Sequence, residues 1–493
     1  MLPIKFSFTP YVLPKLSDML FIAIFASVLL YGPRLFNLDG DLGRHIAIGN
    51  YMIQEGTIPV RDVFSHSMEG ESLVPHEWIA QIAFAISDRW LGLNGPVLLT
   101  AMIISLAFAI KFKESTERGA PLLIAAVILV WAAVASSIHW LARPHIFTLL
   151  FLSLWSYQLE KLHTEKPICL IFFPALMLLW ANTHGAFIAG FVVWGAHFFE
   201  WMVQTRREVV DWKKGKQLAL IGASSFAVTL INPSGYLLWT TSIGYIRNRY
   251  LTSHTVEYMP PNFQDPAMWP FAFMIVYGLL SLSARKTLPL RDALLMAGWT
   301  FMSLFSMRNI PLFAMLSVPI FAYLLHIQTN SLTALTRFQD RLSKVEDQLK
   351  SGVWSAVVVF ALGLKLTRGV SLDTAQAGNR YDPAVFPVQS VDWLLANPQT
   401  GNMFNHFPWG GYLLYRAYPD YRVFIDGQTD FYGESLTREY EAVISLSQGW
   451  QGILEKYAID WAIVESNSPL AEALAQNGWE ILYKDETAII IRK

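Results

Sequence analysis

The chain holds a single cysteine, Cys169, in 493 residues, so no disulfide can form within it, and cysteine usage says nothing about redox compartment. Charge is scarce too. Only 15% of the residues are charged and the formal net charge is −1, which gives nucleic-acid binding no support. Among the 11 histidines no close pair has HxxxH or HExxH spacing, which speaks against zinc chemistry at His45, His66, His76, His145 or His184. A signal-peptide cleavage site is also missing after the first apolar run, which ends in YGPRLFN; the run is expected to be retained as a first span.

Apolar residues are abundant instead. They make up 53% of the chain and fall in runs of about 17–20 residues, the length that crosses hydrocarbon as a helix. The fold class expected is an α-helical polytopic membrane protein of about 11 transmembrane helices, near 18–36, 95–110, 120–139, 145–160, 167–181, 184–203, 217–231, 267–283, 290–306, 309–326 and 352–367. His76–Leu91, with His76, Glu77, Gln81, Asp88 and Arg89, suits an interfacial helix better than a twelfth span.

Basic residues fix the orientation. Lys111, Lys113 and Arg118; Lys161 and Lys166; Arg206, Arg207, Lys213, Lys214 and Lys216; Arg285, Lys286 and Arg291; and Arg337, Arg341, Lys344 and Lys350 occupy alternate connections, with the N-terminus on the same side. These connections are expected in the cytoplasm. Leu332–Lys350 has apolar residues at helical spacing beside a basic face and should lie along that leaflet.

The other side collects the unusual residues. The first outer loop, 37–94, carries Asp39-Gly-Asp41, Arg44, His45 and His76-Glu77-Trp78. Arg143-Pro144-His145, Asn182-Thr183-His184, Asn232-Pro233-Ser234-Gly235, Glu257-Tyr258 and Arg308-Asn309 fall at connections on the same face. Ionisable and amide groups at membrane depth are costly and usually line a cavity or pair with one another, so one polar basin is the simplest arrangement. Each also has an ordinary structural reading: turns for Asn232 and Arg143, interhelical bonds for Asn182 and His184, a carboxylate partner for Arg308, an N-cap for Asp41.

Two carboxylates one residue apart can share a divalent cation, or one can act as general base while the other orients it. Asp41 is the first candidate for base or metal ligand, Asp39 its neighbour and Glu77 a third carboxylate; the cation would be Mg or Mn. Arg143 and Arg308 suit phosphate oxygens, with His45, His76, His145, Asn182, His184 and Glu257 as further candidates for substrate contact. Acid, candidate metal and arginines beside a bilayer fit transfer from a lipid phosphate.

Beyond the last span, 368–380 reads as a polar linker, and 381–493 alternates strand-like runs at 402–407, 422–426, 460–465, 480–483 and 487–492 with helical ones at 388–396, 436–445, 449–457 and 469–476. A compact soluble α/β domain is expected, without a nucleotide fingerprint. Trp409, Tyr412 and Asp426 are its minority ligand candidates, because Gly410-Gly411 lets backbone approach closely.

The acidic motif in the first outer loop and the soluble domain after the last span together resemble the GT-C superfamily of membrane glycosyltransferases. Over nearly the whole chain, DGDLGRHIAIGNYMI, IPVRDVFSH, PHEW, ARPH, WANTHGAF, NPSGY, FNHFPWGGYLLY and VFIDGQTDFY are similar to poorly characterised bacterial multi-pass proteins. The resemblance implies a catalytic acid at Asp39 or Asp41 and a polyprenyl-phosphate sugar donor. The sequon-binding WWDYG motif of oligosaccharyltransferases is absent, so transfer to asparagine is not implied. The function expected is glycosyl transfer from a polyprenyl-phosphate-linked sugar to an extracytoplasmic lipid, glycan or protein, of either stereochemical course. The chain would lie in the bacterial inner membrane among its lipids, with the C-terminal domain in the periplasm. The alternative is a transporter or envelope-assembly protein that binds a lipid-linked saccharide without cleaving it.

Overall fold

A computed structural model describes residues 13–164, 166–205, 211–281, 288–350, 352–367 and 379–493. Most of the expected linker, 368–378, and the basic residues Arg206, Arg207, Arg285 and Lys286 lie outside the described residues.

Every apolar run forms a helix. Asn94–Glu117, Leu122–His139, Gly185–Thr205 and Met307–Thr329 are long and apolar enough to cross a membrane, while Leu16–Tyr31, Phe172–Ala181, Pro266–Ser281 and Val353–Lys365 are shorter apolar helices. These helices, together with Trp212–Val228 and Leu290–Phe305, carry apolar side chains on their outward faces too: Val127, Val130, Val134, Leu220, Phe226, Phe273, Val276, Phe301 and Phe305 are all exposed. A helix apolar all round has hydrocarbon as its solvent, so this is a membrane protein. Trp78–Leu91 is a helix of 14 residues whose Gln81 is buried; it lies against Asp41–Glu55 and Asn94–Glu117.

Two charged layers sit at opposite ends of the same helices. Helix His145–His163 starts beside residues of the 37–94 loop and ends among ion pairs. There Arg291 donates to Glu200 at 2.9 Å and to Glu160 at 3.2 Å, Arg118 pairs with Asp292, and Lys111 with Glu114 at 2.7 Å. Lys111, Arg118 and Arg291 are therefore not free loop charges. Each is bound to a carboxylate, which offsets the desolvation of both.

The C-terminal part contains a four-stranded sheet in the order β1-β2-β4-β3, formed by β1 (Asn402–Asn405), β2 (Ile459–Glu465), β3 (Glu480–Lys484) and β4 (Ala488–Arg492). β1 and β2 are parallel and the other pairs antiparallel. Side chains alternate across the strands, so Met403, Trp461, Ile463 and Ile490 join the core of the membrane helices. Phe404, Ala462, Val464, Ile489 and Ile491 pack instead against helices Thr429–Ile444 and Pro469–Gln476. The expected strand at 422–426 is not part of this sheet. Its backbone pairs with the 37–94 loop, Val423 N–H donating to Phe64 and His66 N–H to Val423, at 3.1 and 3.0 Å, while Asn405 Oδ1 accepts from Phe424 N–H. The extended chain found a partner far away in sequence.

Candidate active site

The site is built on helix Asp41–Glu55. Asp39 Oδ1 accepts from the Asp41 backbone N–H at 3.0 Å, a local turn that presents both carboxylates at the helix start. Glycines let this helix be gripped on two sides. A Cβ at Gly49 would meet the Gln81 carbonyl of Trp78–Leu91, and one at Gly43 the Gly411 carbonyl of helix Gly410–Ala417. Reciprocally, a Cβ at Gly411 would meet the Gly40 carbonyl. The close backbone approach expected at Gly410-Gly411 is thus made to this helix, and Asp41, Arg44 and His45 are 5%, 3% and 1% exposed.

Four groups converge at the helix start. Arg143, just before helix His145–His163, donates to Asp41 and to Glu257 and forms an ion pair with Asp39 Oδ2 at 2.7 Å. Expected on a phosphate, its guanidinium is engaged by three carboxylates. Burial pushes the Asp39 carboxyl up to about 7, against Arg143 and with Asp41 and Glu257 adding to the rise. Burial also acts on Glu257, but Arg143, Arg308 and His139 outweigh it and hold that group down to about 2.

Glu77 lies on the other side of Arg44, with its carboxylate 3.8 Å from Arg44 Nη2 and from His45 Nδ1, and 3.9 Å from His76 Nε2. Burial and the Arg44 charge push His45 well below its usual range, so it is neutral. The C-terminal part closes this side. Arg44 donates to Gln428 Oε1 at 3.1 Å and lies 3.9 Å from Asp426, and His76 is 3.9 Å from Asp430. Burial raises Asp426 to about 6 despite Arg44. Gly427 abuts the catalytic candidate: a Cβ there would collide with the Asp41 carboxylate. A narrow crevice, lined in part by His76, Glu77, Gln81 and Gln428, has a volume of about 10 Å³, room for one water or one hydroxyl. Gln81 Oε1, buried, has no partner there.

Arg308 donates to Tyr258 at 2.8 Å, lies 3.6 Å from Glu257, and its Nη2 is 3.4 Å from His184 Nε2. At 28% side-chain exposure it is the more open arginine, against 19% for Arg143. His184 is turned by Thr148 at 2.9 Å, and His145 lies 2.9 Å from the His139 carbonyl. Asn182 ties helices together: its Oδ1 accepts from Trp78 and its Nδ2 donates to the Ile231 carbonyl. Beside it an apolar recess of about 540 Å³ is lined by residues including Trp78, Ile79, Leu178, Leu179, Ile231 and Pro233. It begins one residue from Glu77.

Trp409 and Tyr412 sit elsewhere. Both are buried in the core, Trp409 donating to the Val385 carbonyl and Tyr412 packed edge-on against Tyr381 and tilted against Phe386, so of the three C-terminal candidates only Asp426 reaches the site. Arg44, Gly427, Gln428 and Tyr258 are further neighbours of the site; the sequence marks Arg44 and Tyr258 only as members of the polar face, beside His45 and Glu257, and gives none of the four a role.

As a metal site the donor set does not fit. Three carboxylates converge, but on a guanidinium, and among the described residues no group of three or more His, Cys, Asp or Glu side chains is arranged to hold a metal ion.

No protein family and no curated protein matches the sequence directly. Solved structures do. The archaeal oligosaccharyltransferase AglB from Archaeoglobus fulgidus, in complex with an inhibitory peptide and a dolichol-phosphate, aligns over 93% of this chain and 70% of its own at 12% identity and a TM-score of 0.61. The same enzyme's complex with Zn and sulfate gives 0.53 over 93% and 69%, at 12% identity. ArnT from Cupriavidus metallidurans aligns over 96% of this chain and 97% of its own at 14% identity, with a TM-score of 0.52. At these identities the likeness is one of fold: the chain is similar to the membrane glycosyltransferases of the GT-C superfamily.

Proposed function

We propose that the protein is a glycosyltransferase that moves a sugar from a polyprenyl-phosphate carrier to an extracytoplasmic acceptor. The observation that carries this reading is the meeting, at one end of the helices, of a buried carboxylate pair, a more open arginine and an apolar recess. The isoprenoid chain would lie along the recess beside Trp78, and the phosphate against Arg308 and His184, since Arg143 is already engaged. An acceptor group enters from the Gln81–Gln428 crevice. It attacks the anomeric carbon, the bond from that carbon to the phosphate oxygen breaks, and Asp41 takes the acceptor's proton. A divalent cation enters none of these steps.

The reading includes about eleven spans in a bacterial inner membrane, residues 1–367 forming the membrane domain. The N-terminus would face the cytoplasm, and 381–493 would form a periplasmic domain whose Asp426–Gln428 turn completes the site. The test is the full chain in liposomes with a labelled polyprenyl-phosphate sugar and envelope extract as acceptor. Label leaving the lipid for the acceptor supports the reading, and label that stays lipid-linked opposes it.

Burial pushes the Asp39 carboxyl up to about 7, so as pH rises through that value the site beside Arg143 gains a negative charge that favours removal of a proton from the acceptor. Transfer is expected to rise as pH rises through about 7 and to level off above it. Asp39→Asn should flatten that limb of the rate profile; an unchanged limb would assign it to another group.

A further inference from the structure

The three carboxylates around Arg143 come from separate segments: Asp39 from the turn after the first helix, Asp41 from the start of the next, and Glu257 from a connection more than two hundred residues later in the chain. Chains bring acids together in this way around a cation. Here Nη1 reaches Asp39 Oδ2 at 2.7 Å and Glu257 Oε1 closer still, and Nη2 reaches Asp41 Oδ2. The arginine is fixed from behind. Ala142 N–H, one residue before it, donates to the Leu35 carbonyl at 2.8 Å, and Pro144 next to it precedes helix His145–His163.

A divalent ion held by the same three oxygens would stand about 2.0–2.6 Å from each of them, which is the space that Nη1 and Nη2 fill. Guanidinium and metal exclude one another. We propose that Arg143 is the resident cation of this site, a positioning residue that gathers Asp39, Asp41 and Glu257 as a bound metal gathers its carboxylate ligands, and that the chain therefore works without a divalent ion. Arg143 carries one charge where such an ion carries two, and its planar fork sets the directions of the carboxylates as well as their distances.

The experiment is Mn²⁺ binding to the detergent-purified full chain, followed by electron paramagnetic resonance, together with transfer after exhaustive EDTA treatment. The wild-type protein is expected to show no saturable Mn²⁺ site, and its transfer rate to change less than twofold on EDTA treatment. Arg143→Ala should gain one saturable site, binding Mn²⁺ at least tenfold tighter than wild type, and Arg143→Ala with Asp41→Asn should lose it. A saturable site in the wild type that Asp41→Asn abolishes would overturn the proposal, as would a folded Arg143→Ala protein that binds no Mn²⁺. Should Arg143→Ala fail to fold, the wild-type titration decides alone. The proposal rests on the transfer reading only for the EDTA arm: absence of turnover with and without Mn²⁺ counts against glycosyl transfer, and the binding result still judges Arg143.

Discussion

Asp41→Asn is expected to lower transfer by about a hundredfold or more, the usual cost of removing a catalytic acid or base, while lipid-linked sugar still binds. The amide keeps the size of the side chain and can still accept from Arg143. What it cannot do is take a proton, and it removes the negative charge that Asp41 sets against the guanidinium at the helix start. Since Asp41 is buried at 5% exposure, water cannot replace the lost charge. Comparing initial rates and bound labelled donor in membranes with matched protein levels separates the two effects. A binding loss equal to the rate loss would make Asp41 a substrate contact rather than a base.

Gly427→Ala is expected to cost about as much, although it removes no titratable group. A Cβ at 427 collides with the Asp41 carboxylate, so either that carboxylate or the whole C-terminal turn must move. Displacement of a catalytic group by about 1 Å is enough for a hundredfold loss. Gly452→Ala is the control, because a Cβ there meets nothing within 4 Å and alanine is a better helix former. Near-normal transfer by Gly427→Ala would mean that the Asp426–Gln428 turn does not cover the reacting centre.

What the sequence discloses follows from how far each signal reaches. Apolar runs and basic loops are local, so the helices, the acidic first loop and most strands can be read directly. The 422–426 run has strand character too, but pairing depends on what lies opposite, and there it meets Ser65 of the 37–94 loop rather than the sheet. Gly410-Gly411 announces a close backbone approach without naming the visitor, which is the Gly40–Gly43 turn. Arg143 is read as a phosphate contact because an arginine near a membrane suits one, yet three acids from other segments reach it first. The role of Arg44 is hidden for a similar reason: its partner Gln428 lies 384 residues away.

The central claim is that this site breaks the bond between a sugar and a polyprenyl phosphate. The most direct measurement is the appearance of free polyprenyl phosphate from a labelled polyprenyl-phosphate sugar, with matched proteoliposomes of the native chain and of the Asp39→Asn, Asp41→Asn double variant. The account requires free lipid phosphate from the native chain and a rate at least about a hundredfold lower from the double variant, with donor still bound by both. Release at the same rate by both proteins, or sugar that crosses the bilayer still joined to its lipid, would contradict it.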